Sequence, residues 1–195
     1  MNDAVAVETM RRMKESGAFL EGHFLLSSGM HSGFYLQCAL FLRYPEHAAW
    51  AGARIGERID HLRPDVIISP SVGGLIIGHE TARYLGVPFI FCEREKGIMK
   101  LRRFPAPLGL SFFVVEDVVT TGRSTAEVRD AILQVSEGEF LGAACVVDRS
   151  SGNNAIGPSL VSLMKSDFPV YTPEECPLCG EGLPLEEPGS RRLSR

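Results

Sequence analysis

Apolar and polar positions along this chain switch between a helical and a strand period. Val7, Met10 and Met13 recur at helical spacing behind Asn2 or Asp3, either of which can cap a helix, and Gly17 stops it. Residues 23–44 are mixed: Gly29 and Gly33 flank a short polar turn, and an apolar stretch follows from Phe34 to Leu42. Pro45 stands where a first helical residue belongs, and residues 46–62 continue as a helix. The chain then alternates. Strand 65–69 (DVIIS) precedes helix 74–86, which Gly86 ends, and strand 88–92 (PFIFC) follows. Strand 111–117 (SFFVVED), helix 123–136, strand 140–148 (FLGAACVVD) and strand 159–165 (SLVSLMK) complete the series. Strands rich in Val, Ile and Phe without polar alternation are buried on both faces. In this order they predict an α/β domain with a mainly parallel sheet of about five strands covered by helices. No repeat and no linker divides the chain. The stretch from Tyr171, rich in Pro, Glu and Gly, reads as a loose tail.

Charge sharpens this picture at one place. The 195 residues carry 20 Lys plus Arg against 24 Asp plus Glu, a net charge of −4, which predicts no broad basic face and no nucleic-acid partner. Residues 93–103 run against that balance, with Arg94, Lys96, Lys100, Arg102 and Arg103 facing only Glu93 and Glu95. The whole stretch 93–110 lacks a clear period. A long loop inside a compact domain is a functional candidate, although a solvated charged hairpin is the bland alternative. No apolar run approaches the ~20 residues of a membrane span. The N-terminus has acidic residues and no apolar core followed by small residues, so it does not read as a secretory signal. Cys38, Cys92 and Cys145 sit in apolar contexts and read as small buried hydrophobes of a reduced, cytoplasmic protein.

The most informative stretch is FFVVEDVVTTGRST, residues 112–125. An apolar strand leads to the adjacent carboxylates Glu116 and Asp117, then to Thr120, Thr121 and Gly122, then to a helix start at Arg123, Ser124 and Thr125. Ligands of open α/β sheets bind beyond the carboxyl ends of the strands. A turn of small residues opening a helix offers free N–H groups and hydroxyls to a phosphate. Two carboxylates just before it suit sugar hydroxyls or a metal. The order describes a sugar phosphate better than a nucleoside triphosphate, and neither a G-x-x-x-x-G-K-[ST] nor a G-x-G-x-x-G pattern is present.

VVEDVVTTGRS resembles the phosphoribosyl-pyrophosphate (PRPP) motif of the type I phosphoribosyltransferases. Further stretches narrow the resemblance to the family of orotate phosphoribosyltransferases: 24–45 to its N-terminal base-pocket segment, 69–95 to its pyrophosphate loop, helix and next strand, 97–104 to part of its mobile catalytic loop, and VVDRSSG (146–152) to the strand end that meets the orotate carboxylate. The resemblance implies the type I phosphoribosyltransferase fold, a central parallel sheet flanked by helices with a small hood. The hood would take residues 1–44 and the C-terminal part, the core residues 45–165 and the loose tail residues 171–195. It implies transfer of ribose 5-phosphate from PRPP to orotate, releasing pyrophosphate, in pyrimidine nucleotide synthesis. Asp117 with Lys96 and Lys100 would be catalytic. Glu116, Asp117, Val118, Val119, Thr120, Thr121, Gly122, Arg123, Ser124, Gly73 and Arg94 would bind PRPP, and Thr120, Arg149, Phe34 and Tyr35 would bind orotate. Mg²⁺ would be held mainly by PRPP, with no protein ligand identified, and a homodimer would share loops between its active sites. Arg123 replaces a common second glycine of the motif, and Ser27 and Gly73 stand where some relatives carry lysines. A guanidinium at position 149 matches a flat base carrying a carboxylate, since the fork makes two hydrogen bonds. An enzyme for another base, or a PRPP-sensing regulator on the same fold, are the alternatives.

CPLC at 176–179 is a single C-x-x-C, whereas a structural zinc site needs four ligands, commonly two such pairs. Idle thiols or an adventitious disulfide are the expectation, ahead of a site shared between subunits. His23, His31, His47, His61 and His79 show no ligand spacing. His79 reads as structural, and His31, bordering the expected base pocket, is the one worth testing.

Overall fold

The computed structural model describes residues 4–26 and 28–188; Asn2, Asp3 and Ser27 lie outside them. Helix α1 (Ala4–Glu15) leads into a hairpin of β1 (Phe19–Leu25) and β2 (His31–Leu36), a short α2 (Cys38–Leu42) and α3 (Pro45–Ile59). Next come β3 (Val66–Pro70), α4 (Gly74–Leu85), β4 (Phe89–Glu95), β5 (Ile98–Leu101), β6 (Ser111–Val119), α5 (Arg123–Leu133), β7 (Glu139–Asp148), β8 (Leu160–Lys165), β9 (Val170–Tyr171) and α6 (Pro177–Gly180).

The larger sheet has the order β5-β4-β3-β6-β7-β8. Its five inner and far-edge strands from β4 to β8 pair in parallel, and only β5 is antiparallel. The expected mainly parallel sheet is therefore observed. Ile67, Phe113, Val115, Ala144 and Val146 point to one face, where they pack with Met13 of α1, Ile55 of α3 and Ile77 of α4. Val66, Ile68, Val114 and Cys145 point to the other, where Val128 and Ile132 of α5 cover them. Successive strand residues face opposite ways, so strands apolar at every position require helices on both sides.

The aperiodic stretch 93–110 resolves into structure. β4 runs on to Glu95, turns at Lys96 and Gly97, and returns as β5 with Glu95 opposite Ile98. Both turn residues have positive φ, 51° and 84°, as a two-residue hairpin turn of the mirror-image type requires. Charged positions on a short edge strand conceal the period from sequence, because one face of β4–β5 is solvated.

β1, β2 and β9 form a separate antiparallel sheet, the hood. The tail read as loose from Tyr171 instead docks on it as far as the described residues reach. β9 pairs with β2 through Tyr171 opposite His31. Farther on, Leu25 N–H donates to Glu186 O (2.9 Å) and Glu186 N–H to His23 O (2.8 Å). Proline and glycine content signals the absence of a regular element, which does not preclude a fixed path.

Candidate active site

β6 carries the acidic pair near its carboxyl end, beyond its pairing with β3, which stops at Val114, and alongside Cys145 to Val147 of β7. Adjacent residues point opposite ways, and the two carboxylates separate accordingly. Glu116 turns toward α5, where Thr125 Oγ1 donates to its Oε2 at 2.6 Å. Burial pushes its carboxyl up to about 7, with a lesser push from the charge of Asp117 and against the Thr125 hydrogen bond and Arg94. Asp117 turns into a cavity of about 790 Å³ between the sheet end and the hood. Burial raises its pKa too, opposed by the N–H groups of Val118 and of Asp117 itself.

Two glycines shape the surroundings of this pair. A Cβ on Gly73 would lie 2.6 Å from Asp117 Oδ1, so the loop after β3 passes with bare backbone against the carboxylate. Gly122 has φ 71°, and a Cβ there would come 3.2 Å from Ala155 N. It caps α5, whose first helical bond runs from Ala126 N–H to Gly122 O at 2.9 Å. The amides of Arg123, Ser124 and Thr125 precede that bond and form the positive end of the helix. Thr120 and Thr121 line the cavity beside it.

Arg149 reaches the same cavity from β7. Its N–H donates to Val119 O at 2.8 Å, which extends the parallel β6–β7 ladder by one step and sets Arg149 next to the acidic strand end. Behind it Asp148 is buried and accepts from Ser150 N–H (2.8 Å) and Oγ (2.6 Å), so this acid stiffens the turn. From the hood, Tyr35 lines the cavity together with Gln37 and Cys38.

The structure thus gathers Asp117, Val118, Thr120, Thr121, Arg149 and Tyr35 around one cavity. Phe34 goes elsewhere. It lies one residue from Tyr35 on β2, hence on the opposite face, with its ring 5.6 Å from Phe19 and 4.9 Å from Phe168, two rings that pack against the main core. The other basic residues expected at the site stand outside the cavity lining. Arg94 and Arg123 both pair with Glu127 of α5, the latter at 2.7 Å. Burial opposes ionisation of Glu127, but Arg123 and Arg94 outweigh it and hold the carboxyl below its usual range. Lys100 Nζ pairs with Glu95 at 2.9 Å, and Arg102 and Arg103 pair with the acids of β4. Lys96 sits at the hairpin tip. Sequence reasoning missed Gln37, and also Glu187 and Pro188, which the docked tail brings to the cavity wall. Gln37 could have been read as the polar end of the 34–42 apolar stretch; the tail pair carries no local signal. Cys38, Cys92 and Cys145 are buried with raised pKa, as expected of inert thiols.

No family model matches the chain. An orotate phosphoribosyltransferase of Caldicellulosiruptor saccharolyticus is 45% identical over 185 residues, 94% of this chain and 96% of that protein. One of Thermotoga maritima is 43% identical over 182 residues, 93% and 97% of the two chains. Among solved structures, orotate phosphoribosyltransferase from Aeropyrum pernix aligns at a TM-score of 0.67 and 29% identity, covering 80% of this chain and 92% of that one. The Mycobacterium tuberculosis enzyme in complex with PRPP shares the fold, with a TM-score of 0.62, 20% identity, and 85% and 91% of the two chains covered.

Proposed function

The chain belongs to the orotate phosphoribosyltransferases, and on that premise we propose that the cavity between β6, β7 and the hood is where PRPP and orotate meet. The chain transfers ribose 5-phosphate from PRPP to orotate, giving orotidine 5′-monophosphate and pyrophosphate. One observation carries the assignment of the site: Asp117, the Thr120–Thr121 turn and Arg149 converge on a single cavity, held in register by the Arg149 N–H to Val119 O bond.

In this reading the amides at the start of α5 and the hydroxyls of Thr120 and Thr121 take the 5′-phosphate. Glu116 and Asp117 take the ribose hydroxyls, and Arg149 and Tyr35 hold the base by its carboxylate and its flat face. Orotate N1 attacks the anomeric carbon as the bond to pyrophosphate breaks. Positive charge gathers on the ribose, where a carboxylate at Asp117 stabilises it more in the transition state than before. Negative charge gathers on the leaving group. Arg94, Arg123 and the lysines of the β4–β5 hairpin, Lys96 and Lys100, are the cations this reading assigns to it. Gly73 presents backbone to the same region.

Mg²⁺ fits this donor set. Asp117 is the strand-end carboxylate facing the cavity, and Mg²⁺ characteristically takes one or two carboxylates plus substrate phosphates and water. Asp117 would hold it, and the ion would supply neutralisation of the pyrophosphate charge. The division into a hood from the N-terminal 44 residues plus the C-terminal part, over a core of 45–165, follows the same reading. So does a homodimer in which the hairpin serves the neighbouring site, in the cytoplasm. Among the described residues no helix is long and apolar enough to cross a membrane.

The test is the fall in orotate absorbance on mixing this protein with PRPP and Mg²⁺, run beside adenine, hypoxanthine and uracil. Turnover of orotate alone is expected. Consumption of another base in preference would overturn the assignment of Arg149 as the carboxylate partner.

A further inference from the structure

The hood holds a cluster for which the transfer reaction has no use. His23 on β1 and His31 on β2 face each other across the hairpin, with His23 Nε2 3.0 Å from His31 Nδ1. The CPLC turn brings two thiols to the same point. Cys176 Sγ lies 3.5 Å and Cys179 Sγ 3.7 Å from His23 Nε2, and Cys179 Sγ lies 3.3 Å from His31 Nδ1. All four ligand atoms fall within 4.8 Å of one another. A tetrahedral zinc ion, with Zn–N of about 2.0–2.1 Å and Zn–S of about 2.3 Å, separates its ligands by roughly 3.3–3.8 Å. The cluster has that spacing with only small adjustment.

Proton accounting points the same way. His23 Nδ1 lies 2.9 Å from Leu183 O. A carbonyl only accepts, so Nδ1 carries the hydrogen, and in the neutral ring Nε2 then presents a lone pair to the cluster. That one lone pair faces His31 and both thiols. A hydrogen bond satisfies one of these three contacts, whereas a cation at the centre satisfies every group at once. The Nδ1–H to carbonyl bond is also the outer contact that commonly orients a metal-binding imidazole.

The tail supplies an independent reason for a fastener. Of residues 172–188, only Cys176 is buried. A two-residue strand, the bridge at Glu186 and the His23 Nδ1 to Leu183 O bond also tie this segment to the hood. So little apolar burial does not fix a chain path unaided, and small apolar-poor segments are commonly stapled by metals or disulfides. The two thiols are not joined in a disulfide, so both are available as ligands.

We infer that His23, His31, Cys176 and Cys179 form a structural zinc site that clamps the C-terminal tail onto the hood. Two thiolates and two imidazoles select a borderline-soft tetrahedral ion over Mg²⁺. Four protein ligands leave no open position, so the role is structural. Three of the four residues are buried and Cys179 is exposed, which leaves an entry path on the tail side. Glu187 and Pro188 stand a few residues beyond Leu183 and line the substrate cavity, so the clamp also sets one of its walls.

The experiment measures metal, not turnover, and so stands apart from the assignment of the reaction. The full chain, purified under reducing conditions, is expected to contain about one zinc per chain after a chelator wash. After the zinc is removed and Co²⁺ added, the intense visible bands of tetrahedral thiolate-bound cobalt should appear. Cys176→Ser with Cys179→Ser should lower the zinc content at least tenfold and open residues 172–188 to protease, while Cys92→Ser keeps its zinc. Wild-type protein without zinc and without the cobalt spectrum would overturn the inference. So would equal zinc loss in Cys92→Ser. The cobalt spectrum of the wild type decides the matter even if the double variant fails to fold.

Discussion

At the end of the parallel sheet, Asp117 and Arg149 stand on backbone that is hydrogen-bonded to neighbouring strands and packed on both faces. In the hood, Tyr35 stands on a strand of a three-stranded antiparallel sheet whose third member is two residues long. The first region is held by burial: Phe113, Val114, Val115, Val146 and Val147 are almost wholly enclosed. The second depends on the path of a tail with one buried residue among the described residues 172–188. The contrast teaches where rigidity is placed. On the proposed assignment, groups that must meet developing charge to within a fraction of an ångström sit on the sheet, and groups that shape the base pocket sit on the hood. Changes at the sheet end should therefore act on the chemical step, and changes in the hood on substrate affinity.

The largest effect that would sharpen this contrast is expected from Asp117→Asn. It keeps shape and removes the charge beside the ribose, an electrostatic loss on the order of 2–4 kcal/mol. Turnover should fall by well over tenfold with an unchanged far-ultraviolet spectrum; near-normal kcat in folded protein would break the assignment. Next comes Arg149→Ala. Leaving a buried carboxylate without its partner costs about 1.5–3 kcal/mol, so the KM for orotate should rise roughly tenfold to a hundredfold while that for PRPP moves little. An equal rise in both would place Arg149 in phosphate binding or in the fold.

A smaller, fractional signal tests whether the hairpin acts across subunits. Lys96→Ala with Lys100→Ala in one chain and Asp117→Asn in another should each be nearly inactive. Random mixing in a twofold dimer makes about half the dimers mixed with one intact site each, so about a quarter of wild-type activity should return. Failure to recover after mass analysis has verified exchange would confine the hairpin to its own site.

The smallest effect concerns stability. Burial raises the Glu116 carboxyl to about 7 in the fold. An acid whose folded pKa exceeds its unfolded value makes the fold lose stability as pH rises between the two. The cost is absent near pH 4, grows from about pH 4.5 and is complete above about pH 7. Glu116→Gln should therefore stabilise the protein at pH 8 by on the order of 1–3 kcal/mol, vanish as a gain toward pH 4, and weaken PRPP binding. A Tm gain at pH 4 equal to that at pH 8 would remove the carboxylate's charge as its cause.

How much of this was legible in sequence follows from how local each signal is. The 112–125 stretch could be read because its strand, acids, turn and helix start are contiguous, and Arg149 because parallel strands bring their ends together. Phe34 and Tyr35 differ by one step of a period-two strand, and an apolar run at 34–42 does not say which of two aromatic neighbours faces in. The β4–β5 hairpin reads from sequence only as the bland alternative to a functional loop, because its charge masks the strand period. The His23, His31, Cys176 and Cys179 cluster was hidden by separation. Two ligands lie eight residues apart on a hairpin and two more lie some 150 residues on, so no window contains them all.

On the proposed assignment of the start of α5 to the phosphate, Glu127 gives that end of the site an unusual property. It holds Arg94 and Arg123 together on one carboxylate, so the protein carries a tethered counter-ion where an anionic ligand is to arrive. An incoming phosphate then exchanges with a group that cannot diffuse away, instead of releasing dissolved ions into the bulk. Binding gains little mixing entropy from that exchange, and its dependence on ionic strength should be flatter than a count of nearby cations suggests. Removing the tether, as in Glu127→Gln, would hand both guanidinium groups to buffer anions and convert a salt-tolerant site into a salt-sensitive one.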